Sequence, residues 1–117
     1  MYANGSGVAQ DWESARSWYL KAAAQGDLRS MSNLAANYAN GRGGPVDLVQ
    51  AFFWAKKAGD QGFAPSESDL GTMYEAGLGV SKDLAQAIVW YRRAANQGDA
   101  RAQAALSRLG VTWSNLR

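Results

Sequence analysis

Apolar and small residues recur along this chain with the spacing of one helix face. Ser30, Leu34 and Tyr38 are each four residues apart, and Leu70 and Tyr74 repeat the same spacing further on. Side chains three or four residues apart lie on the same side of a helix, so this stripe predicts an amphipathic helix of about ten to twelve residues. We call it helix A.

A second apolar stripe follows each helix A and predicts a second helix, helix B. Between the two helices stands a Gly-x-Gly break, such as Gly77–Gly79. Glycine allows a helix to end in a left-handed residue and the chain to turn back, so each A–B pair is predicted to be a helical hairpin. In the last complete copy Trp90 lies beside the helix B stripe, which consists of Leu84, Ala87, Ile88, Tyr91, Ala94 and Ala95.

This hairpin pattern returns every 36 residues without insertion or deletion. A fixed period of roughly 20–50 residues is typical of stacked supersecondary units. The predicted fold class is therefore all-α, an α-α superhelix (solenoid) of stacked antiparallel helix hairpins. Columns that agree in all three copies include Tyr2, Tyr38 and Tyr74; Gly5, Gly41 and Gly77; Gly7, Gly43 and Gly79; Asp11, Asp47 and Asp83; and Trp18, Trp54 and Trp90.

The repeat divides residues 1–117 into one array of units. The chain begins in the middle of a repeat, so we expect it to be part of a longer protein. Uncapped ends of a stack expose apolar surface, so Val111, Trp113 and Leu116 are expected to cover the C-terminal end, and end-to-end self-association is an open alternative. The units are a partial unit 2–27, full units 28–63 and 64–99, and a half unit or cap 100–117.

Repetition also favours structural roles for the residues that look chemically interesting. The three aspartates of the Asp11 column are a full repeat apart, on the order of 10 Å in stacked helices, which favours helix N-caps over a metal site. Pro65 falls in a first helical turn, where its missing N–H costs nothing. Trp18, Trp54 and Trp90 occupy one position of helix B and are predicted to pack between helices.

Composition excludes several kinds of chemistry. The chain has no histidine and no cysteine, so Ser–His–Asp and Cys–His sets, disulfides and thiolate metal sites are absent. Glu67, Asp69 and Glu75 share a helix, but no spacing singles out a catalytic pair. We therefore predict no enzyme activity, no metal and no cofactor.

The charge balance gives little reason to expect a polyanionic partner. The net charge is +2, and the pI near 9.1 reflects a slight excess of Lys and Arg without histidine to buffer it. The basic pairs Lys56–Lys57 and Arg92–Arg93 have acidic neighbours and are interpreted as a solvated face. We predict no nucleic-acid binding, and no apolar run is long enough for membrane insertion.

The motif of the third unit resembles the Sel1-like repeat, a relative of the tetratricopeptide repeat. It reads Leu70-Gly71-x-x-Tyr74-x-x-Gly77-x-Gly79-Val80-x-x-Asp83 and then Ala87-x-x-Trp90-Tyr91-x-x-Ala94-Ala95-x-Gln97-Gly98. The resemblance covers nearly the whole chain. The middle unit departs from it at Gly44-Pro45, at Ala55 in place of the tyrosine, and at Gly59 in place of the second alanine, so its packing is expected to differ from that of its neighbours.

The resemblance implies a non-catalytic α-solenoid adaptor or scaffold, bacterial in origin, that binds a protein or peptide. Two alternatives remain open: a structural spacer within a larger protein, and an immunity or inhibitor protein that blocks a toxic enzyme. The compartment stays open between the cytoplasm and the periplasm or exterior. In solenoids the solvent-facing side of helix A lines the concave surface, which gives as candidate partner-binding residues Arg29, Asn33, Ala36, Asn37, Asp69, Thr72, Met73, Arg101 and Arg108.

Overall fold

The structure is a computed structural model that describes residues 8–112 and, within them, contains six helices and no strand. In the language of the repeat, α2, α4 and α6 are helices A, and α1, α3 and α5 are helices B. The predicted all-α array is confirmed, whereas the expectations for Tyr2, Trp113 and Leu116 lie outside the described residues. The helices are α1 (Val8–Ala24), α2 (Leu28–Asn40), α3 (Leu48–Asp60), α4 (Ala64–Ala76), α5 (Leu84–Asn96) and α6 (Ala100–Arg108).

Each helix packs mainly against the next one along the chain, which gives an elongated body of 48 × 25 × 24 Å. The core is divided into three apolar clusters, each shared by successive helices. Alanine supplies many of the buried positions, so the helices approach closely. None of the described helices combines the length and apolar character that crossing a membrane requires.

The two glycines of each Gly-x-Gly turn have different structural roles. The first glycine, as in Gly77 with φ +73°, ends helix A in the left-handed conformation. The second glycine lies against the backbone of the preceding helix B. A Cβ built on Gly43 would lie 2.9 Å from the carbonyl carbon of Trp12, and one on Gly79 would lie 2.7 Å from that of Leu48. Because these two contacts are one repeat apart, successive units stack in the same register.

Helix capping is confirmed for two of the three repeated aspartates. The side chains of Asp47 and Asp83 accept hydrogen bonds of 3.1 Å from the backbone N–H groups of Gln50 and Gln86. The prediction for Asp11 is wrong, because α1 begins at Val8 and Asp11 lies inside its first turn. Ala9 and Gln10, directly before Asp11, are good helix formers, whereas the equivalent loop of the middle unit contains glycine and proline, and α1 starts a few residues earlier than its counterparts.

The repeated tryptophans do not share one environment. Trp90 is 4% exposed and packs with Leu70 and Met73 of α4, and Trp54 is partly buried against the preceding cluster. Trp18, by contrast, is 68% exposed, so its predicted packing between helices is wrong for the described residues. Trp54 and Trp90 are covered by the hairpin before them, and no helix precedes α1 in residues 8–112.

At the C-terminal end of the described residues, too, a side chain of the repeated pattern is exposed because no neighbouring unit covers it. Leu84, which the pattern places on the buried stripe, is half exposed, whereas its counterpart Leu48 is covered by the loop at Gly79. The residues one repeat after the Gly79 loop lie outside residues 8–112. Val111 does pack against the last apolar cluster, as expected of a residue that covers this end.

Candidate functional site

The candidate residues lie on α2, α4 and α6, and we call the exposed side of these three helices the helix A face. Two of the candidates, Asn37 and Met73, are buried in the structure. The other seven have accessible surface: Asn33 and Asp69 are half-buried, and Arg29, Ala36, Thr72, Arg101 and Arg108 are exposed.

The burial of Asn37 corrects the expectation that its amide points to solvent. Asn37 is 2% exposed and follows Leu34 by three residues, which places both side chains on the packed side of α2. Its backbone carbonyl accepts a 3.0 Å hydrogen bond from Arg16 of α1. The sequence contains a signal for this position, since its repeats are the apolar residues Met73 and Leu109.

Arg101 connects α6 to α4 at one end of the helix A face. Its guanidinium lies 3.2 Å from the Asp69 carboxylate and donates a second hydrogen bond, also 3.2 Å, to the backbone carbonyl of Pro65. Burial raises the pKa of the Asp69 carboxyl, and the charge of Arg101 opposes that rise. The Asp69 carboxylate and the Arg101 guanidinium thus place a hydrogen-bond acceptor and a hydrogen-bond donor side by side on the helix A face.

A denser network joins the same helices further along. Arg108 makes a bidentate pair with Glu75, with N–O distances of 2.7 and 2.9 Å. Tyr91 donates a 2.8 Å hydrogen bond to the same carboxylate, and its hydroxyl oxygen lies 3.2 Å from that of Thr72. Thr72 and Arg108 stand 36 residues apart in one column of the repeat, whereas no pattern in the sequence assigns Glu75 a role in this network.

These bonds stabilise the charged form of Glu75. The hydrogen bonds from Arg108 and Tyr91 lower the pKa of the Glu75 carboxyl from 4.5 to about 2. Because the pKa of Glu75 is lower in the folded protein than in the unfolded chain, the ionised carboxylate stabilises the folded state at pH values above about 4.5. This contribution to the free energy of unfolding is lost as the pH falls from about 4.5 toward 2.

Replacing Glu75 with glutamine should therefore remove an acid-dependent part of the stability. We expect the variant to be less stable than the wild type by roughly 1 kcal/mol at neutral pH, because the pair is partly exposed to solvent. The difference should shrink as pH falls below 4.5. Urea unfolding of both proteins at pH 7, 4 and 3 measures it.

The matched control is Asp60→Asn, which removes the exposed i,i+4 pair with Lys56. Exposed pairs contribute about 0–1 kcal/mol, so this variant should stay close to the wild type. A deficit for Glu75→Gln that is the same at pH 7 and pH 3 would contradict the assignment.

The other acid of α4 also has a structural partner. Glu67 is buried and accepts a 2.8 Å hydrogen bond from the side-chain amide of Gln97, which also donates to the backbone carbonyl of Gly62. Burial raises the pKa of the Glu67 carboxyl. Across residues 8–112, no group of three or more acidic side chains is placed to hold a metal ion.

A pocket of about 280 Å³ opens on the helix A face between α2 and α4. Small side chains of α2 and the side chain of Ala55 form its inner part, while Leu48, Met73 and Leu78 complete the apolar wall. The polar residues at the pocket are Asn40, Asp69, Thr72 and Arg101. Three of the predicted candidates on α4 and one on α6 therefore meet at a single concave feature, together with Ala36 of α2.

The helices B carry the basic pairs Lys56–Lys57 and Arg92–Arg93 and a second apolar surface. Lys56 pairs with Asp60 at 3.1 Å, and Arg93 lies 4.6 Å from the ring centre of Trp90. Val49 and Phe53 stand exposed on the outer side of α3. The basic side chains thus have neighbours of their own, as expected for a solvated face.

Stacked antiparallel hairpins that share their core only with their neighbours define an α-solenoid. The family model of the Sel1 repeat matches residues 1–27, 28–63 and 64–99, and the chain belongs to the Sel1 repeat family. The comparison with curated protein sequences gives no match.

Two solved structures are similar to the chain over most of its length. A Sel1 repeat protein from Oxalobacter formigenes is 38% identical with a TM-score of 0.78 over 87% of this chain. The protein c5321, a protective antigen of uropathogenic Escherichia coli strains that displays the same repeat fold, is 34% identical with a TM-score of 0.81 over 92% of this chain. The chain spans only 44% and 24% of these two bacterial proteins.

Proposed function

We propose that this chain is a non-catalytic interaction module that holds a partner protein or peptide on its helix A face. Sel1 repeats generally mediate protein–protein interactions, and proteins built from them are typically non-catalytic scaffolds. The observation that carries the proposal is the pocket between α2 and α4, with the donor and acceptor groups of Arg101 and Asp69 beside it. Recognition sites combine such apolar depressions with a few polar groups at the edge.

The test compares two variants that add the same charge to opposite faces. Ala36→Arg with Thr72→Arg places two long cations on the helix A face, one repeat apart. Gln50→Arg with Gln86→Arg does the same on the exposed side of the helices B. Each protein is used as bait in a bacterial lysate after circular dichroism has confirmed its helical content.

We expect a protein that is retained by the wild type and by the helix B variant and is lost by the helix A variant. Retention by all three baits would refute binding on this face. If no bait retains a protein, the spacer alternative is favoured. If the captured protein is an enzyme whose activity the chain abolishes, the inhibitor alternative replaces the general adaptor.

A further inference from the structure

The pocket lies in the middle unit, at the position that the third unit, one repeat later, fills with the ring of Tyr91. Tyr91 of α5 packs directly over Gly71, and a Cβ built on that glycine would lie 2.8 Å from the ring atom Cγ. The hydroxyl of that ring bonds to Glu75 and lies beside Thr72. In the third unit the chain therefore fills this position with its own aromatic side chain and satisfies its hydroxyl.

The middle unit lacks both the ring and the groups that would bind its hydroxyl. Ala55 stands in place of Tyr91, and the residues one repeat before Gly71, Thr72 and Glu75 are Ala35, Ala36 and Ala39. All four alanines line the pocket.

The inner wall is apolar and the volume suits an aromatic ring. A protein cavity of about 150 Å³ lined by apolar side chains takes up benzene, and this pocket measures about 280 Å³. A hydroxyl carried inward on a ring that enters from the helix A face would meet the buried apolar side chains of Ala35 and Ala55 instead of a hydrogen-bonding partner. Burying such a group without a partner costs about 1–3 kcal/mol by protein mutational data.

Resting on the proposed function, we propose that the pocket is an anchor site for a phenylalanine side chain of the partner, with tyrosine disfavoured. The ring enters from the helix A face and occupies the place that Tyr91 occupies in the next unit. Asp69 and Arg101 at the pocket supply an acceptor and a donor for the backbone N–H and C=O groups that flank the inserted side chain.

The direct test uses N-acetyl-phenylalaninamide and N-acetyl-tyrosinamide as probes, titrated against the protein with labelled methyl groups. We expect the phenylalanine amide to shift the methyl signals of Ala35, Ala55 and Met73 in the NMR spectrum. The tyrosine amide should bind at least about fivefold more weakly, since 1 kcal/mol corresponds to roughly that factor.

Two variants change the inner part of the pocket. Ala55→Ser places a hydroxyl there as a hydrogen-bonding partner and should reduce the preference for the phenylalanine amide over the tyrosine amide. Ala35→Gly with Ala55→Tyr copies the Gly71–Tyr91 pair, fills the pocket and should abolish binding of both probes. If the second variant does not fold, the first still tests the claim, because it leaves the pocket open.

Equal binding of both amides to the wild type, no shift up to the solubility of the phenylalanine amide, or shifts confined to the outer side of α3 would each overturn the proposal. These results are distinguishable from failure of the proposed function. If the wild type captures a partner that the Ala36→Arg and Thr72→Arg variant does not capture, but the wild type does not bind the phenylalanine amide, the adaptor function is supported and only the aromatic anchor is refuted.

Discussion

Replacing Gly79 with alanine should destabilise the protein by about 3 kcal/mol. The residue has φ +74°, which costs an ordinary L-residue roughly 1–2 kcal/mol. Its new Cβ would also overlap the carbonyl oxygen of Leu48 in the preceding helix B, and overpacking of this kind costs typically about 1–3 kcal/mol. Equilibrium urea unfolding followed by circular dichroism measures the loss.

Gly98 is the matched control because it separates the two causes. It has φ +94°, but no atom lies within 4 Å of a Cβ placed on it. Gly98→Ala should therefore cost only the backbone term, about 1 kcal/mol. Equal losses for the two variants would show that the close approach of the loop to α3 is not important for stability.

Gly71→Ala should destabilise the protein by about 1–3 kcal/mol, even though alanine is the better helix former by roughly 1 kcal/mol. A Cβ at this position overlaps the ring of Tyr91. Tyr91→Ala alone should cost about 3–5 kcal/mol, by analogy with other buried aromatic side chains. Combining the two changes creates the pair that the middle unit already has at Ala35 and Ala55.

We therefore expect the double variant to lose less stability than the two single variants together, by about 1–3 kcal/mol. Thermal and urea unfolding of the four proteins closes the cycle. The control is Ala35→Gly, where no ring stands opposite: it should destabilise by about 1–2 kcal/mol through lower helix propensity and loss of one buried methyl group. Additivity within error would mean that the Gly71–Tyr91 contact has no energetic coupling.

The fold can be predicted from the sequence because each unit repeats the same pattern of apolar, glycine and capping positions. The helix A stripe through Leu34 and Leu70, the glycine turn and the caps at Asp47 and Asp83 are local signals, and three aligned copies reinforce them. Asp11 shows the limit of this reasoning. Its column matches, but Ala9 and Gln10 before it favour helix over loop, and α1 begins at Val8.

The candidate site is accessible only in part. Register identifies exposed positions such as Thr72 and Arg108, which depend on the helix period alone. Asn37 is misplaced when its polarity is given more weight than the apolar residues at its repeats. The pocket does not follow from the pattern, since it arises from the combination of Ala55 with small side chains on a helix that precedes it in sequence.

The middle unit also shows how a departure from a pattern is accommodated. Gly59 replaces an alanine at a buried position of α3, and a Cβ there would lie 2.6 Å from the Leu70 side chain. Its absence lets α4 pack closely, while the smaller Ala55 leaves open space on the helix A face. One substitution tightens the seam between hairpins and the other creates a cavity, so loss of side-chain volume has two opposite outcomes within one helix.

The contacts of Gly43 with Trp12 and of Gly79 with Leu48 join successive units through the same atoms in the same register. A genetic duplication or deletion of 36 residues, the spacing between these glycines, would therefore produce a new junction with the contacts of the old ones. An event whose length is not a multiple of 36 residues would place a residue other than this glycine against the carbonyl group. Genes of this kind can therefore change length in whole repeats and keep the same contacts at each junction, and each added repeat extends the helix A face on which selection can act.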